Sequence, residues 1–466
     1  MSQRIAEAAN DIWTPILFLI LLGGLYFLFY SRFIHYRYLF HSFDILRGKF
    51  HDRHAPGQIS PYEALSTALA ATVGMGNIAG VAASISIGGP GAMFWMWVTA
   101  FIGMSTNFFT TTLSIMYRGK DSAGAVQGGP MYAIREKLGK RYSPLAILFC
   151  VSALIGCFPV FQANQLTQVI ADVGFRDAEE LKSKTILILG MEINLLKLII
   201  GCALMIMSGL VIVGGITRIG KFSGKMVPSM IVVYFLSVVA ILLINIENIP
   251  KSFMLIITDA FDANNYHGSP LLGGMTGGLI MAGVRRATFS NEAGLGTSAM
   301  AMGASKTTEP VREGLVSMLS PAIDTLLVCT LTALAIIVTD AWRMPAAGGV
   351  TITVAAFENS IPFFGRYLLL LSAFTFSIAT MFSYSYYGNK ALSFLLGVKA
   401  GKYYDYFYLL AIVAGAVASM NDVINVIDIA YALMAVPTMI SGFILAPQVM
   451  RESKSYFERM KKEGRL

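Results

Sequence analysis

The feature that most constrains the fold is a series of apolar runs, each about 20 residues long, that recur from one end of the chain to the other. A helix of that length crosses the hydrocarbon layer of a lipid bilayer. Of the 466 residues, 55% are hydrophobic and 13% are charged, whereas soluble proteins carry roughly 25% charged residues. The sequence therefore predicts an all-α, multi-pass membrane protein. Its basic residues are spread over short loops, which argues against a nucleic-acid partner.

We predict eleven membrane spans. Their bounds are residues 12–31, 60–87, 91–117, 143–172, 194–216, 226–247, 272–303, 315–339, 366–395, 404–420 and 425–449. The spans divide the chain into an extra N-terminal helix with a basic interfacial segment (1–59), a first five-helix group (60–248), a second five-helix group (272–449) and a basic tail (450–466).

The distribution of Lys and Arg predicts the orientation of these spans. One set of alternate loops, together with the C-terminal tail, carries most of the 35 Lys and Arg residues. The opposite set holds acidic residues such as Glu179, Asp259 and Asp262. Because basic loops stay on the cytoplasmic side, we expect the N-terminus outside and the C-terminus in the cytoplasm. An odd number of spans agrees with this arrangement.

The second predicted span is interrupted at its middle by the sequence AATVGMGNIAG, residues 70–80. Each glycine weakens a helix by roughly 1 kcal/mol relative to alanine. Unpaired backbone groups are tolerated in a membrane only where they are buried in protein or line a cavity. Gly74, Gly76 and Asn77 therefore predict a helix that opens to present its backbone to a polar ligand. Close helix packing through Gly76 and Gly80 is the alternative explanation.

A similar interruption lies in the seventh predicted span, at RRATFSNEAGLGT, residues 285–297. The two interrupted spans are the first of each five-helix group, and the two groups start on opposite sides of the membrane. Five helices followed by five of opposite orientation form an inverted repeat. Paired broken spans at matching positions are typical of a transporter binding site.

An opened helix offers two kinds of polar group at once. The free N–H groups at the start of a half-helix favour a carboxylate. Freed carbonyls, with side-chain oxygens, favour a hard cation such as sodium. An amino-acid zwitterion and a cation together need both. No catalytic or metal-binding motif occurs, and none of the five His residues lies in the middle of a span. We therefore expect no enzyme activity, and no cofactor apart from a coupling ion.

Five motifs together resemble the alanine/glycine:cation (sodium) symporters. They are TVGMGNIAGV (72–81), GGPGA (88–92), GGPMY (128–132), FSNEAGLG (289–296) and TMFSYSYYG (380–388). The resemblance covers nearly the whole chain. It implies a LeuT-type fold, with one extra helix before the five-plus-five core, in the inner membrane of a prokaryote. It also implies sodium-coupled symport of a small neutral amino acid into the cell.

The resemblance implies a set of substrate contacts around both interruptions. Backbone groups from the first interruption would hold the substrate carboxylate, and Phe289 would act as an aromatic gate. The implied substrate contacts are Thr72, Gly74, Met75, Gly76, Asn77, Gln162, Asn164, Phe289, Ala293, Gly294, Gly296, Thr380 and Tyr384.

The resemblance also implies a sodium site between the first interrupted span and the ninth span. Its ligands would be the backbone carbonyls of Ala70 and Val73 with the hydroxyl groups of Thr380 and Ser383. Asn77 and Ser290 are further candidates. For Thr380, a hydroxyl group that bonds back to its own helix is the alternative explanation.

Two alternatives remain open at this point. Tyr384 stands where the family often has Trp, so a larger or more polar amino acid such as serine or glutamine is an alternative substrate. Asp324 or Glu292 would allow proton coupling instead of sodium coupling. We interpret both mainly as structural hydrogen-bonding groups, with Glu292 paired to Arg285 or Arg286. A channel would need a continuous polar lining, but the polar residues cluster at one depth.

Overall fold

The computed structural model describes residues 2–50, 54–188, 191–262, 277–344, 349–418 and 421–465. In this part of the chain nearly every segment is helical, and the strands form two short antiparallel hairpins. Part of the seventh predicted span, residues 272–276, and the boundary that we predicted at residue 272 lie outside the described residues.

The N-terminal segment consists of one long helix and two short ones. They are α1 (Ser2–Tyr30), α2 (Ile34–Arg37) and α3 (Leu39–Leu46). The long helix packs along the last helix of the chain. The ring of Phe27 stacks on Phe109, with centroids 4.6 Å apart, and on Phe443 at 5.3 Å. The indole N–H of Trp13 donates to the Asp428 carbonyl over 2.9 Å. The extra helix is therefore anchored at both ends.

The second predicted span is a bent pair of helices, which confirms the prediction from its glycines. The pair consists of α4 (Pro61–Thr72), a π-helical turn (Gly76–Gly80) and α5 (Val81–Gly88), with a 48° bend. A capping box starts the first helix, since the Ser60 N–H donates to the Glu63 carboxylate over 2.8 Å and the Glu63 N–H donates to the Ser60 hydroxyl.

The rest of the first half follows in chain order. Its elements are α6 (Ala92–Met116), β1 (Gly119–Lys120), β2 (Val126–Gln127), α7 (Pro130–Ala133), a π-helical turn (Ile134–Leu138), a 3-10 turn (Lys140–Tyr142), α8 (Ser143–Gly156), α9 (Val160–Val169), a π-helical turn (Ile170–Gly174), α10 (Glu179–Ser183), β3 (Thr185–Ile188), β4 (Met191–Asn194), α11 (Leu195–Ile212), α12 (Gly215–Ile244), a 3-10 turn (Ile246–Asn248) and α13 (Ile249–Phe261).

The second half begins with another broken helix. Its elements are α14 (Gly277–Asn291), α15 (Thr297–Met302), α16 (Pro310–Ser317), α17 (Leu319–Pro321), a π-helical stretch (Ala322–Cys329), α18 (Thr330–Val338), a 3-10 turn (Ala341–Arg343), α19 (Val350–Ser360), α20 (Gly365–Leu396), α21 (Val398–Val417) and α22 (Asn421–Lys462).

The two broken helices are tied together at the end of the bundle that carries most of the basic residues, which we call the basic end. Before α4, the Gln58 N–H donates to the Ala304 carbonyl over 2.8 Å, and the Lys306 N–H donates to the Ile59 carbonyl over 2.7 Å. The guanidinium group of Arg118 adds a bond to the Gly303 carbonyl over 3.1 Å. Hydrogen bonds therefore hold the segment before α4 and the segment after α15 together.

Seven helices among the described residues are long and apolar enough to cross a membrane, and the bent pair makes eight. Three other predicted spans (91–117, 272–303 and 404–420) contain helices that do not meet the same length and hydropathy criterion. Multiple membrane crossings are thus supported by the structure, while eleven spans and the inverted repeat stay predictions.

A buried ion pair joins α14, the first helix of the second half, to α22, the last helix of the chain. The guanidinium group of Arg285 on α14 contacts the carboxylate of Asp428 on α22, whose side chain is 1% exposed. It also lies over the Trp13 ring of α1, 5.7 Å from the centroid. Three helices therefore meet around one charge pair in an apolar setting, where the loss of one partner would leave an uncompensated charge.

We expect Asp428→Leu or Arg285→Met to destabilise the protein by about 3–5 kcal/mol each, because each leaves a buried charge without its partner. The double variant should be more stable than either single variant, since both charges are then gone. Melting temperatures of the purified protein in detergent measure this. Arg343→Met, which breaks an ion pair whose side chains are 65% and 72% exposed, is the control and should have little effect. A double variant less stable than both single variants would contradict the account.

Candidate binding site at the two helix breaks

The first break is held open by the side chain of Asn77. The side-chain amide oxygen accepts the Gly74 N–H over 2.9 Å, and the backbone N–H of Asn77 donates to the Gly74 carbonyl over 3.1 Å. In an unbroken helix these two N–H groups would bond to the carbonyls of Ala70 and Val73. Because both N–H groups are redirected, the carbonyls of Ala70 and Val73 lose these helical partners. They are the two carbonyls that the sequence predicts as sodium ligands.

Gly74 also has no room for a side chain. A Cβ atom there would lie 2.4 Å from the Thr380 hydroxyl oxygen on α20 and 3.2 Å from the Gln162 amide nitrogen on α9. The neighbouring Met75 N–H donates to the Gln162 amide oxygen over 3.0 Å. Two predicted site residues from other helices, Gln162 and Thr380, therefore meet at the first break.

The second break, between α14 and α15, is built from left-handed residues. The φ angles are 55° at Glu292, 86° at Gly294 and 88° at Gly296. Glycine adopts this region readily, whereas the glutamate adopts it at a cost in strain. The amide oxygen of Asn291 accepts the Ala293 N–H over 3.0 Å, much as Asn77 does in the first break. Both breaks therefore use an asparagine to satisfy a freed backbone N–H.

Asp324 joins the two breaks. One carboxylate oxygen accepts the Asn77 amide over 2.7 Å, and the other accepts the Ser290 hydroxyl over 2.8 Å. The hydroxyl of Thr325 donates to that second oxygen over 2.8 Å. Asp324 is fully buried, and its three donors are neutral. No described Lys or Arg side chain forms an ion pair with it. The carboxyl group therefore connects the two breaks and has no ion-pair partner among the described residues.

An aromatic group covers the first break. The Phe289 ring lies 5.2 Å from Phe161 in an edge-to-face arrangement and 5.3 Å from Tyr431. A Cβ at Gly76 would lie 3.4 Å from the Phe289 ring. The Tyr431 hydroxyl shares a 2.6 Å hydrogen bond with the Tyr384 hydroxyl. Phe289 and Tyr384, both predicted from the motifs, are thus linked through Tyr431, which the sequence did not single out.

Thr380 and Ser383 lie on the face of α20 that packs against α4. The Ser383 hydroxyl donates to the Thr67 carbonyl over 2.9 Å, and the Thr380 hydroxyl donates to the Phe376 carbonyl of its own helix over 3.0 Å. The second bond is the back-bonding alternative for Thr380. A bond that donates the proton leaves the oxygen lone pairs available to a cation.

Three residues that were predicted as substrate contacts are instead engaged with other parts of the protein. The Asn164 amide donates to the carbonyls of Gly415 and Ala418 on and after α21, which commits both of its N–H groups. Ala293 packs against Gly103, where an added Cβ would lie 2.6 Å from its methyl group. Thr72 donates to the Leu69 carbonyl within α4.

The glycines of the second break face the scaffold. A Cβ at Gly296 would lie 2.5 Å from Pro130 and 2.7 Å from the Thr438 hydroxyl oxygen, and one at Gly294 would lie 3.6 Å from the Met439 sulfur. These two positions therefore serve close packing and a left-handed turn. The structure does not bring them together with the Asp324 cluster.

Glu292 does not pair with a basic residue, so our predicted pairing with Arg285 or Arg286 is wrong. Arg285 instead pairs with Asp428, and the Arg286 guanidinium lies over the Phe289 ring, 5.6 Å from its centroid. Glu292 is fully buried. The hydroxyl groups of Thr297 and Tyr384 lie near its carboxylate, but within the described ranges neither carboxylate oxygen meets the geometry of a hydrogen bond. The adjacent spacing of Arg285 and Arg286 did not reveal which helix each would face.

The hydrogen bonds of Asp324 agree with the prediction of a buried hydrogen-bonding group, but its partners were not predicted. An acidic residue inside an apolar span was the available signal. The sequence gave no way to see that its carboxylate would face both breaks, because it lies 247 residues from Asn77.

Comparisons with known proteins identify the relatives of this chain. The profile of the Sodium:alanine symporter family matches residues 1–465. The sodium/alanine symporter AgcS of Methanococcus maripaludis is 36% identical over 463 residues, which is 97% of this chain and 97% of that protein. The probable sodium/glutamine symporter GlnT of Bacillus subtilis is 32% identical over 466 residues, covering 99% of this chain and 92% of that protein.

A solved structure also resembles the fold. The crystal structure of MhsT in complex with L-phenylalanine superposes with a TM-score of 0.61 at 12% identity, covering 86% of this chain and 93% of that one. At that identity the likeness concerns the fold alone, which is LeuT-type. The family profile over residues 1–465 and the relatives at 36% and 32% identity show that the chain belongs to the sodium:alanine symporter family.

Proposed function

We propose that this protein is a secondary active transporter that couples the movement of sodium to the uptake of a small neutral amino acid of the alanine and glycine class, by alternating access. The observation that carries the proposal is the buried Asp324 carboxylate, which contacts Asn77 in one broken helix and Ser290 in the other. The family, together with its relatives the sodium/alanine symporter AgcS and the probable sodium/glutamine symporter GlnT, supports sodium as the ion and a neutral amino acid as the substrate.

The proposed amino-acid site lies at the first break, beneath the aromatic group. Its carboxylate would be bound by the backbone N–H groups of Gly74, Met75 and Gly76, at the start of the half-helix that follows. There it would displace the amide oxygens of Asn77 and Gln162, which now accept the Gly74 and Met75 N–H groups. Phe289 and Tyr431 would cover the side chain. The close approach of the Phe289 ring to Gly76 disfavours a large side chain there, which agrees with alanine or glycine as the substrate.

We propose two places for sodium. The first is the Asp324 cluster, where the hydroxyl oxygens of Ser290 and Thr325 lie beside a carboxylate that has no ion-pair partner among the described residues. The Asn77 amide, whose nitrogen now faces Asp324, would have to turn to offer its oxygen to the ion. A buried carboxylate in a membrane is costly unless a cation neutralises it. The second lies between α4 and α20, where the carbonyls of Ala70 and Val73 and the hydroxyl groups of Thr380 and Ser383 would be the ligands. The redirected N–H groups of the first break support this second place.

Alternating access would act on the contacts that join the breaks. Asp324 bonds to both, so an ion that binds there favours one relative position of α4, α5 and α14. Ion and amino acid would then each raise the affinity of the protein for the other, which is what coupling requires. A proton at Asp324 would neutralise the same carboxylate, and the transport assay below separates the two ions.

We expect Asp324→Asn to raise the sodium concentration for half-maximal alanine uptake by at least about tenfold, because interactions with a charged group contribute about 1.5–3 kcal/mol. Radiolabelled alanine uptake into proteoliposomes at fixed pH, with sodium replaced stepwise by choline, measures it. Asp340→Asn is the matched control, because that side chain is 72% exposed. Alanine uptake driven by a pH gradient without sodium, or an unchanged sodium dependence in Asp324→Asn, would contradict the proposal.

The Tyr384 side chain should tune which amino acid is carried. Replacing it with Trp adds volume and removes the hydroxyl that meets Tyr431. We expect Tyr384→Trp to weaken competition by glutamine and serine relative to glycine by about tenfold or more, since small changes in pocket size are worth about 1–3 kcal/mol. Competition of labelled alanine uptake by unlabelled amino acids measures this.

Tyr403→Trp is the control for the Tyr384 variant, because Tyr403 lies on the surface and is 77% exposed. An identical competition profile in Tyr384→Trp and the parent protein would place the determinant of substrate size elsewhere.

A further inference from the structure

A cavity with several polar residues in its walls lies beside Lys390, between the two breaks and the basic end. Its volume is about 160 Å³, and its walls include Asp121, Asp405, Asn389, Tyr386 and Lys390. Lys390 follows Thr380 on α20 by ten residues, which is about 15 Å along a helix. The cavity is therefore distinct from the site at the breaks and lies on the predicted cytoplasmic side of it.

Lys390 lines this cavity and forms no ion pair with a described residue. Its side chain is buried, and its ammonium group donates to the Met300 carbonyl over 2.9 Å and to the Tyr386 hydroxyl over 3.0 Å. Both acceptors are neutral. Among the residues that the structure describes, no carboxylate lies within 4 Å of this ammonium group, the limit for an ion pair. An ammonium group has three N–H donors, so one remains after these two bonds.

The two acidic residues of the cavity differ in how far their oxygens are engaged. The Asp121 carboxylate accepts the N–H groups of Ala123 and Ala125 and the side-chain amide of Gln127. Asp405 accepts one hydrogen bond, from the Asn389 amide over 2.9 Å. The cavity thus offers a cationic donor on one wall and a carboxylate on another.

We propose that this cavity is a second, transient binding site for the amino acid on its path to the cytoplasm, in which the Lys390 ammonium binds the substrate carboxylate and Asp405 faces the substrate ammonium. The inference rests on the proposed transport function. The size agrees, because a cavity of about 150 Å³ in another protein holds benzene, which has as many non-hydrogen atoms as alanine. The charges agree as well, because a zwitterion supplies the missing partner to both walls.

The contact with Met300 couples the site to the moving part of the protein. Met300 lies near the end of α15, the second half of a broken helix, and Lys390 lies on α20. A lysine at the C-terminal end of a helix also stabilises that end by itself. If Lys390 only stabilises the helix end, its replacement would change the KM for alanine at both membrane faces. If Lys390 binds the substrate, its replacement would change the KM at the cytoplasmic face alone. A comparison of the two faces therefore separates the two roles.

The test measures the KM for alanine separately on each face of the membrane. Sodium-driven uptake of radiolabelled alanine is measured in intact cells for the outer face and in inside-out vesicles for the cytoplasmic face. We expect Lys390→Gln to raise the KM at the cytoplasmic face by about tenfold or more, with the outer KM within about twofold, because a charge-assisted bond to the carboxylate is lost. Lys390→Arg should keep most of the cytoplasmic affinity.

Matched variants make the outcome decisive. Lys399→Gln changes an exposed lysine near the same end and should leave both KM values unchanged. Asp405→Asn should raise the cytoplasmic KM, and it tests the site independently if Lys390→Gln fails to fold. Equal rises at both faces in Lys390→Gln, or no change at either face, would overturn the proposal.

A small inorganic anion is the other ligand with the right charge for Lys390. Replacement of chloride by gluconate distinguishes it. If this replacement slows transport by the parent protein and has no effect on Lys390→Gln, the site binds chloride and the proposal is wrong. If the parent protein shows no sodium-dependent alanine uptake in either preparation, it is the proposed function that fails instead.

Discussion

The carboxylate of Asp324 is the contact on which the arrangement of the two breaks depends. It accepts the Asn77 amide from one broken helix and the Ser290 hydroxyl from the other, inside a fully buried site. Hydrogen bonds of this kind fix the two helices relative to each other. A buried carboxylate that has no ion-pair partner among the described residues also favours the binding of a cation. The same group therefore sets the geometry of the site and its charge.

Around that contact, each break solves the same problem of freed backbone groups in a similar way. Asn77 accepts the Gly74 N–H, and Asn291 accepts the Ala293 N–H, so neither half-helix leaves those donors unpaired. The Met75 N–H is bonded to the Gln162 amide oxygen. The first break therefore leaves the carbonyls of Ala70 and Val73 without these helical partners. The ion pair of Arg285 with Asp428 holds the second broken helix against α22. Contacts with the neighbouring helices therefore hold the residues around the two breaks in place.

The sequence predicted the two breaks well, because glycines and an asparagine in an apolar span act on the local backbone. It also predicted that Gln162 and Thr380 would approach the first break. It did not predict the partners of Asn164, Glu292 or Arg285, because these depend on how distant helices face one another. Tyr431 carries no local signal, since a tyrosine in an apolar helix is common. Local conformation was therefore readable from the chain, while contacts between remote helices required the structure.

The most direct test of the central claim is whether sodium and alanine bind to the purified protein in a linked manner. Alanine affinity is measured by equilibrium binding at several sodium concentrations and fixed pH, with choline as the replacement ion, and sodium affinity is measured with and without alanine. The account predicts that sodium strengthens alanine binding and that alanine strengthens sodium binding by the same factor. Alanine affinity that does not change with sodium concentration would contradict it.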